Sequence, residues 1–189
     1  MSPIWAVIID PPEMKTLFLA LLTSCLLAAT LRAGAGEATV AHPAGMTACP
    51  EEFHFYQSRL QTHVAGDEEL QRETWQAIAR ARAIQELAVS LGILDSVSTW
   101  PDLVQEFNAG NLRREQMKAR GEVFYGPVRF RQEVWFAVWQ EQLIQAIRQH
   151  APGARDPQIP RPEREAAARE WTEARIRAAA GRLLGNNPS

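Results

Sequence analysis

Cysteine is almost missing from this chain: only Cys25 and Cys49 occur in 189 residues, and Cys25 falls in a segment that reads as an export signal. Cys49 is then alone in the mature chain, which excludes an intramolecular disulfide framework and a cysteine-based zinc site. An excess of charge of one sign is missing too. Twenty Lys and Arg stand against 22 Asp and Glu, and the formal net charge of −2 supplies no overall basic field to attract nucleic acid or an anionic membrane. Catalytic signatures are absent: the sequence holds no GxSxG, no P-loop, no HExxH, no CxxCH and no dinucleotide fingerprint. No cofactor is implied. Nor is there a strand-like alternation with hairpin punctuation, a sustained heptad or an internal repeat, which leaves separate amphipathic helices as the building unit.

What is present fits one globular domain with a tail, since 46% hydrophobic and 22% charged residues are ordinary for a folded chain. The amino terminus carries the clearest address. Lys15 precedes the apolar run Leu17 to Leu31, and Ala33-Gly34-Ala35 places small residues at the −3 and −1 positions of a cleavage site before Gly36. The run is shorter than the roughly 20 residues of a stable span, so no membrane span is expected after cleavage. Asp10, Pro11, Pro12 and Glu13 ahead of the lysine fit a signal poorly, which points to a start of translation at Met14. Leu22-Thr23-Ser24-Cys25 resembles a lipobox, making a lipid anchor at Cys25 the alternative route, although Leu26, Leu27 and Leu31 continue the apolar run beyond it.

The division expected is an extension and signal over 1–35, a helical domain over 36–150, a Pro-rich linker over 151–162, and a terminal helix and tail over 163–189. Within the domain, a first helix runs from Pro50 to about Val64 on the apolar spacing Phe53, Tyr56, Leu60, Val64. A second reaches from Asp67 to Leu91 before Gly92. A third begins at Ser98-Thr99-Trp100-Pro101-Asp102 and is expected to break at Asn108-Ala109-Gly110-Asn111, with a basic turn or two continuing to Gly121. From about Val128 to His150 the apolar residues, among them Phe130, Val134, Phe136, Val138, Trp139 and Ile147, cover more than half of a helical wheel. Such a helix is expected to be the central one, buried on several sides. Four prolines between Ala151 and Pro162 predict an extended linker. In the last helix Glu165 to Arg169 and Glu173 to Arg177 are favourable pairs, and Ala167, Trp171, Ala174, Ala178 and Leu183 form a thin apolar face. The fold class is all-α: an irregular bundle of four to five helices.

Charge is unevenly spread. From Glu37 to Trp75 seven acids oppose two arginines, a local −5, whereas from Asn111 to Arg131 six bases oppose two acids, a local +4. Pairing within the chain accounts for part of this. Arg113, Arg114, Arg120, Arg129 and Arg131 are the candidates for holding an anionic ligand or partner by guanidinium contacts. Trp171 and Arg175 are the candidate interface on the terminal helix. Cys49, before Pro50-Glu51-Glu52, is a candidate reactive thiol because a helix start can depress a thiol pKa. Glu51 and His54 have the ExxH spacing of helical carboxylate metal sites, but no second such pair exists, and no metal site is expected.

These features favour an exported helical protein that acts by protein-protein contact in the cell envelope or extracellular space, as an adaptor or assembly component. A small secreted helical enzyme clamping a carboxylate-bearing substrate with arginines is the alternative. Nucleic acid is not expected as a partner. The export reading predicts that the exported form begins at Gly36 by amino-terminal sequencing. Precursor peptides from upstream of Met14 would rule out the internal start.

Overall fold

The computed structural model describes residues 39–185. The expected signal with its cleavage point, the Met14 start, Cys25 and the last four residues lie outside the described residues. Among the described residues, no helix is long and apolar enough to cross a membrane.

A small antiparallel ribbon comes first, β1 (Val40–Ala41) and β2 (Thr47–Ala48), with Val40 opposite Ala48 and Ala41 opposite Thr47. It gives the segment before the helices more order than a loose leader, because Met46 and Ala48 are buried in the core. Five helices follow: α1 (Pro50–Leu60), α2 (Asp67–Ser90), α3 (Trp100–Ala119), α4 (Gln132–Arg148) and α5 (Arg161–Leu183). The all-α bundle expected from the sequence is therefore the observed architecture.

Its strut is α2. This helix opens after Gly66 with Asp67, Glu68 and Glu69 in its first turn, where acids complement the positive end of the dipole, and closes before Gly92, whose φ of 70° suits a helix stop. It packs against α1, α4 and α5. Ala79, Ala83 and Ala88 are fully buried along it beside Ile78 and Ile84, and side chains this small let three neighbours approach one helix closely. Two ion pairs tie it to those neighbours: Arg82 donates to Glu52 of α1 at 2.7 Å with both groups largely buried, and Arg80 lies 3.0 Å from Glu173 of α5.

The most apolar helix, α4, is not enclosed on several sides. Phe136, Trp139, Leu143, Ile144 and Ile147 form one buried stripe, whereas Val134 is 38% exposed and Ala137 faces solvent. The helix also starts four residues later than expected, with Arg131 as its N-cap, because the chain before it folds onto α3. Of Phe130, Val134, Val138 and Ile147, expected to hold the bundle from this helix, Ile147 does so fully, Val138 in part, Val134 does not, and Phe130 precedes the helix altogether.

The terminal helix is the other revision. α5 has the most extensive packing partnership in the bundle, with α2, and buries Ala168, Thr172, Ile176 and Ala179. That stripe is rotated from the expected one: Ala167, Ala174 and Ala178 are exposed, and Trp171 sits half-buried at the rim. The large indole cannot enter a seam built for close approach, whereas alanines, a threonine and one isoleucine can. The segment from 149 to 160 is folded, not extended. Successive turns run from Ala154 N–H to the Ala151 carbonyl, from Asp156 N–H to Gly153 and from Ile159 N–H to Asp156, and Ala151 is buried.

A single buried stripe on α4 makes a direct prediction. Phe136→Ala should cost about 3–5 kcal/mol in urea unfolding, while Val134→Ala should stay within about 0.5 kcal/mol of the parent. Equal losses would restore the enclosed-helix reading.

Candidate interaction surface on the third helix and its strap

α3 begins with a capping box: the Thr99 hydroxyl accepts from Asp102 N–H at 3.4 Å and the Asp102 carboxylate accepts from Thr99 N–H at 3.0 Å. Trp100 and Leu103 enter the core in its first turn. Beyond them the helix leaves the bundle, yet it continues unbroken through Asn108-Ala109-Gly110-Asn111 for 20 residues. Tertiary contacts override the local tendency to break. The Asn111 side chain accepts from Phe130 N–H at 2.8 Å and donates to the Phe130 carbonyl at 3.1 Å, so its amide replaces a strand partner for a distant backbone. A Cβ on Gly110 would meet the Trp135 indole nitrogen at 3.7 Å, which is ordinary contact, and this places α4 directly against that turn of α3.

The cover over the outer half of α3 is the strap from 121 to 131, held by Arg114. Its Nε donates to the Pro127 carbonyl at 2.7 Å and its Nη2 to the Tyr125 carbonyl at 2.6 Å. The guanidinium also lies over the Phe124 ring at 4.7 Å and the Phe130 ring at 5.0 Å. Gly126, at φ 87°, makes the bend that brings both carbonyls to one fork, and a Cβ there would meet Arg114 Nη2 at 3.4 Å. Arg114 is only 9% exposed, and burial lowers its pKa from the usual arginine value. Its role in the fold is to fasten the strap.

The other candidate arginines divide. Arg120 pairs with Glu122, and Arg129 lies 3.0 Å from Glu115. Arg113 and Arg131 are exposed, and among the described residues no carboxylate lies within ion-pair reach of either, nor of Lys118. Three of the five guanidinium groups are thus occupied by the chain itself, which disfavours a preorganised clamp and leaves a basic surface. Apolar side chains share this lobe: Val123 is 87% exposed, Tyr125 68% and Leu112 55%. Trp135, half-buried, stacks on Trp139 at 6.2 Å and meets Phe107 edge-on at 5.9 Å. Glu106 of α3 has no ion-pair or hydrogen-bond partner among the described residues, and burial pushes its carboxyl above the usual range.

The remaining candidates are placed elsewhere. On α5 the Arg175 guanidinium lies 5.1 Å from the Trp171 ring, a contact that covers one face of the indole. Cys49 is the N-cap of α1, where its Sγ accepts from Glu52 N–H at 3.4 Å. Burial raises its thiol pKa, and the neighbouring acids Glu52 and Glu51 act in the same direction. The helix start therefore does not produce the depressed pKa expected of a reactive thiol; the side chain is a cap packed on the core. Glu51 and His54 both face solvent, and no group of three metal-binding side chains occurs among the described residues. The residue that sequence reasoning overlooked is Asn111, read as a helix breaker. Its only signal was position, 19 residues ahead of an aromatic that stands just before the next helix.

Comparison with known proteins gives no match: no family model, no curated protein and no solved structure is similar enough to lend the chain a relationship. Function has to be argued from the geometry.

The Arg114 fork makes the strap separable from the bundle. Arg114→Gln should leave the helical content intact but weaken local protection by about 2 kcal/mol, the scale of hydrogen bonds from a charged donor. Hydrogen exchange at the Phe130 amide and proteolysis between 121 and 131 would read this. Unchanged protection would show that the rings alone hold the strap.

Proposed function

We propose that the protein is an exported helical adaptor that binds a protein partner through the lobe formed by α3, its strap and the start of α4. The observation that carries the reading is the exposure of Leu112, Val123 and Tyr125 on the lobe whose sequence carries a local +4 charge. Exposed aromatic and aliphatic side chains with arginines beside them are the composition of contact surfaces. Because no carboxylate among the described residues lies within ion-pair reach of Arg113, Arg131 or Lys118, the fitting partner presents acids around an apolar centre. The export signal from Lys15 to Ala35 supports an envelope or extracellular setting, periplasmic or secreted, with a lipid anchor at Cys25 as the alternative.

Arginine-clamp catalysis has less support. Its most enclosed guanidinium, Arg114, is directed at main-chain carbonyls, and Arg120 and Arg129 face carboxylates of the same lobe. The terminal helix is also weaker as the docking element, since its buried stripe is used against α2.

Photo-crosslinking in cells that make the protein tests the assignment. A crosslinking side chain at Tyr125 or Leu112 should trap one shared partner, whereas one at Ala167, on the outward face of α5, should not. Charge reversal at Arg113 and Arg131 should lower the yield at least fivefold. Crosslinks from Ala167 with none from the lobe would move the interface to α5 and sink this reading.

A further inference from the structure

A second basic feature lies away from the strap, where the end of α4, the folded turns after it and the first half of α5 enclose an open groove of about 460 Å³. Arg148, Arg161, Arg164 and Arg169 line it, and Glu165 is the one acid in its wall. Neutralisation inside the groove is incomplete. Arg161 is 2.7 Å from Glu165, but Arg164 spends its Nη1 on the neutral carbonyl of Asp156 at 2.6 Å. Arg148 reaches Glu141 only at 3.4 Å, and its Nε is buried with no acceptor. Glu173 is near enough to sense Arg148, yet that carboxylate is engaged by Arg80. Arg169 has no ion-pair or hydrogen-bond partner among the described residues.

Four guanidinium groups line the groove with one carboxylate in its wall, and like charges held this close repel one another. The charge excess is relieved by one kind of occupant: an anion with several oxygens that can accept from more than one fork. The first turn of α5, which lacks a side-chain cap, belongs to the same wall and adds the positive end of a helix dipole. The volume exceeds that of one tetrahedral oxyanion and falls within the range of small-ligand sites. From these observations we infer that the α4–α5 groove is a binding site for a multivalent phosphate-bearing anion, independent of the partner surface on α3.

Titration calorimetry of the mature chain with inorganic pyrophosphate, at low and moderate salt, tests this, with co-sedimentation on anionic phosphatidylglycerol vesicles against phosphatidylcholine as the second arm. Arg161 and Arg169 are exposed, so the double variant Arg161→Gln/Arg169→Gln should keep the fold, checked by its unfolding midpoint. Saturable pyrophosphate binding weakened at least tenfold in the double variant, and unchanged in Arg175→Gln, is the expected result. Sedimentation with anionic vesicles abolished by the same pair, without pyrophosphate binding, would support the site and assign the phosphate to a lipid headgroup. Binding in neither arm, or binding reduced as much by Arg175→Gln as by the pair, would overturn the proposal.

Discussion

Three aromatic rings from three helices meet at one point: Phe55 of α1, Trp100 of α3 and Phe136 of α4, with centroids 4.7 to 5.1 Å apart. Trp100 and Phe136 stack nearly parallel, while Phe55 tilts against both, the offset geometry that aromatic quadrupoles favour. The placement of α3 depends on this contact, because Trp100, with Leu103 one turn on, sets the end of α3 that enters the core. Its capping box fixes where the helix starts, and that start is what delivers Trp100 to the cluster. Loosening the cluster would free α3, and with it the strap and the surface they carry together.

Around that point the fold uses two different ways of joining helices. On one side, α2 and α5 close through small side chains, a seam in which Thr74 and Thr172 are both fully buried. Thr74 donates to the Leu70 carbonyl of its own helix at 2.6 Å, so its buried hydroxyl costs little, whereas the Thr172 hydroxyl is buried with no hydrogen-bond partner among the described residues. On the other side, α3 is joined to the bundle at one end by apolar contact and along its length by polar contact with a strap. The first kind of joint is non-directional and gives cooperativity. The second is directional and depends on a handful of hydrogen bonds, which makes it a local unit that can open without unfolding the bundle.

These two joints explain which features were legible in the sequence. α2 could be read from its ends, since Asp67-Glu68-Glu69 and Gly92 act through the dipole and through φ, both local effects. Thr99 and Asp102 announced α3 for the same reason. The phase of α5 was not legible, because Trp171 dominates any apolar pattern but the seam selects for small volume, a property of the alanines on α2 that the α5 sequence does not contain. The break expected at Asn108 to Asn111 failed for a related reason: Asn111 is satisfied by the backbone of Phe130, and no local rule reports a partner 19 residues away. The basic character of 111–131 was legible as a sum of charges. Which arginines remain available was not, since that depends on carbonyls presented by Tyr125 and Pro127 once Gly126 has bent the strap.

On the proposed reading, the strap links structure to binding through its own chemistry. Arg114, itself buried, holds two carbonyls and two rings beneath a strap whose Val123 and Tyr125 face solvent, so water reaches those donors when the strap lifts. A partner that covered Val123 and Tyr125 would exclude that water, and hydrogen bonds and cation–π contacts strengthen as the local dielectric falls. Partner binding and strap closure are therefore coupled in sign: each favours the other. The charges beside the strap would add direction: Arg113 and Arg131 are exposed with no carboxylate in ion-pair reach among the described residues, so the acids of a partner face would be drawn to their side of the lobe. On that reading the lobe would orient a partner as well as hold it.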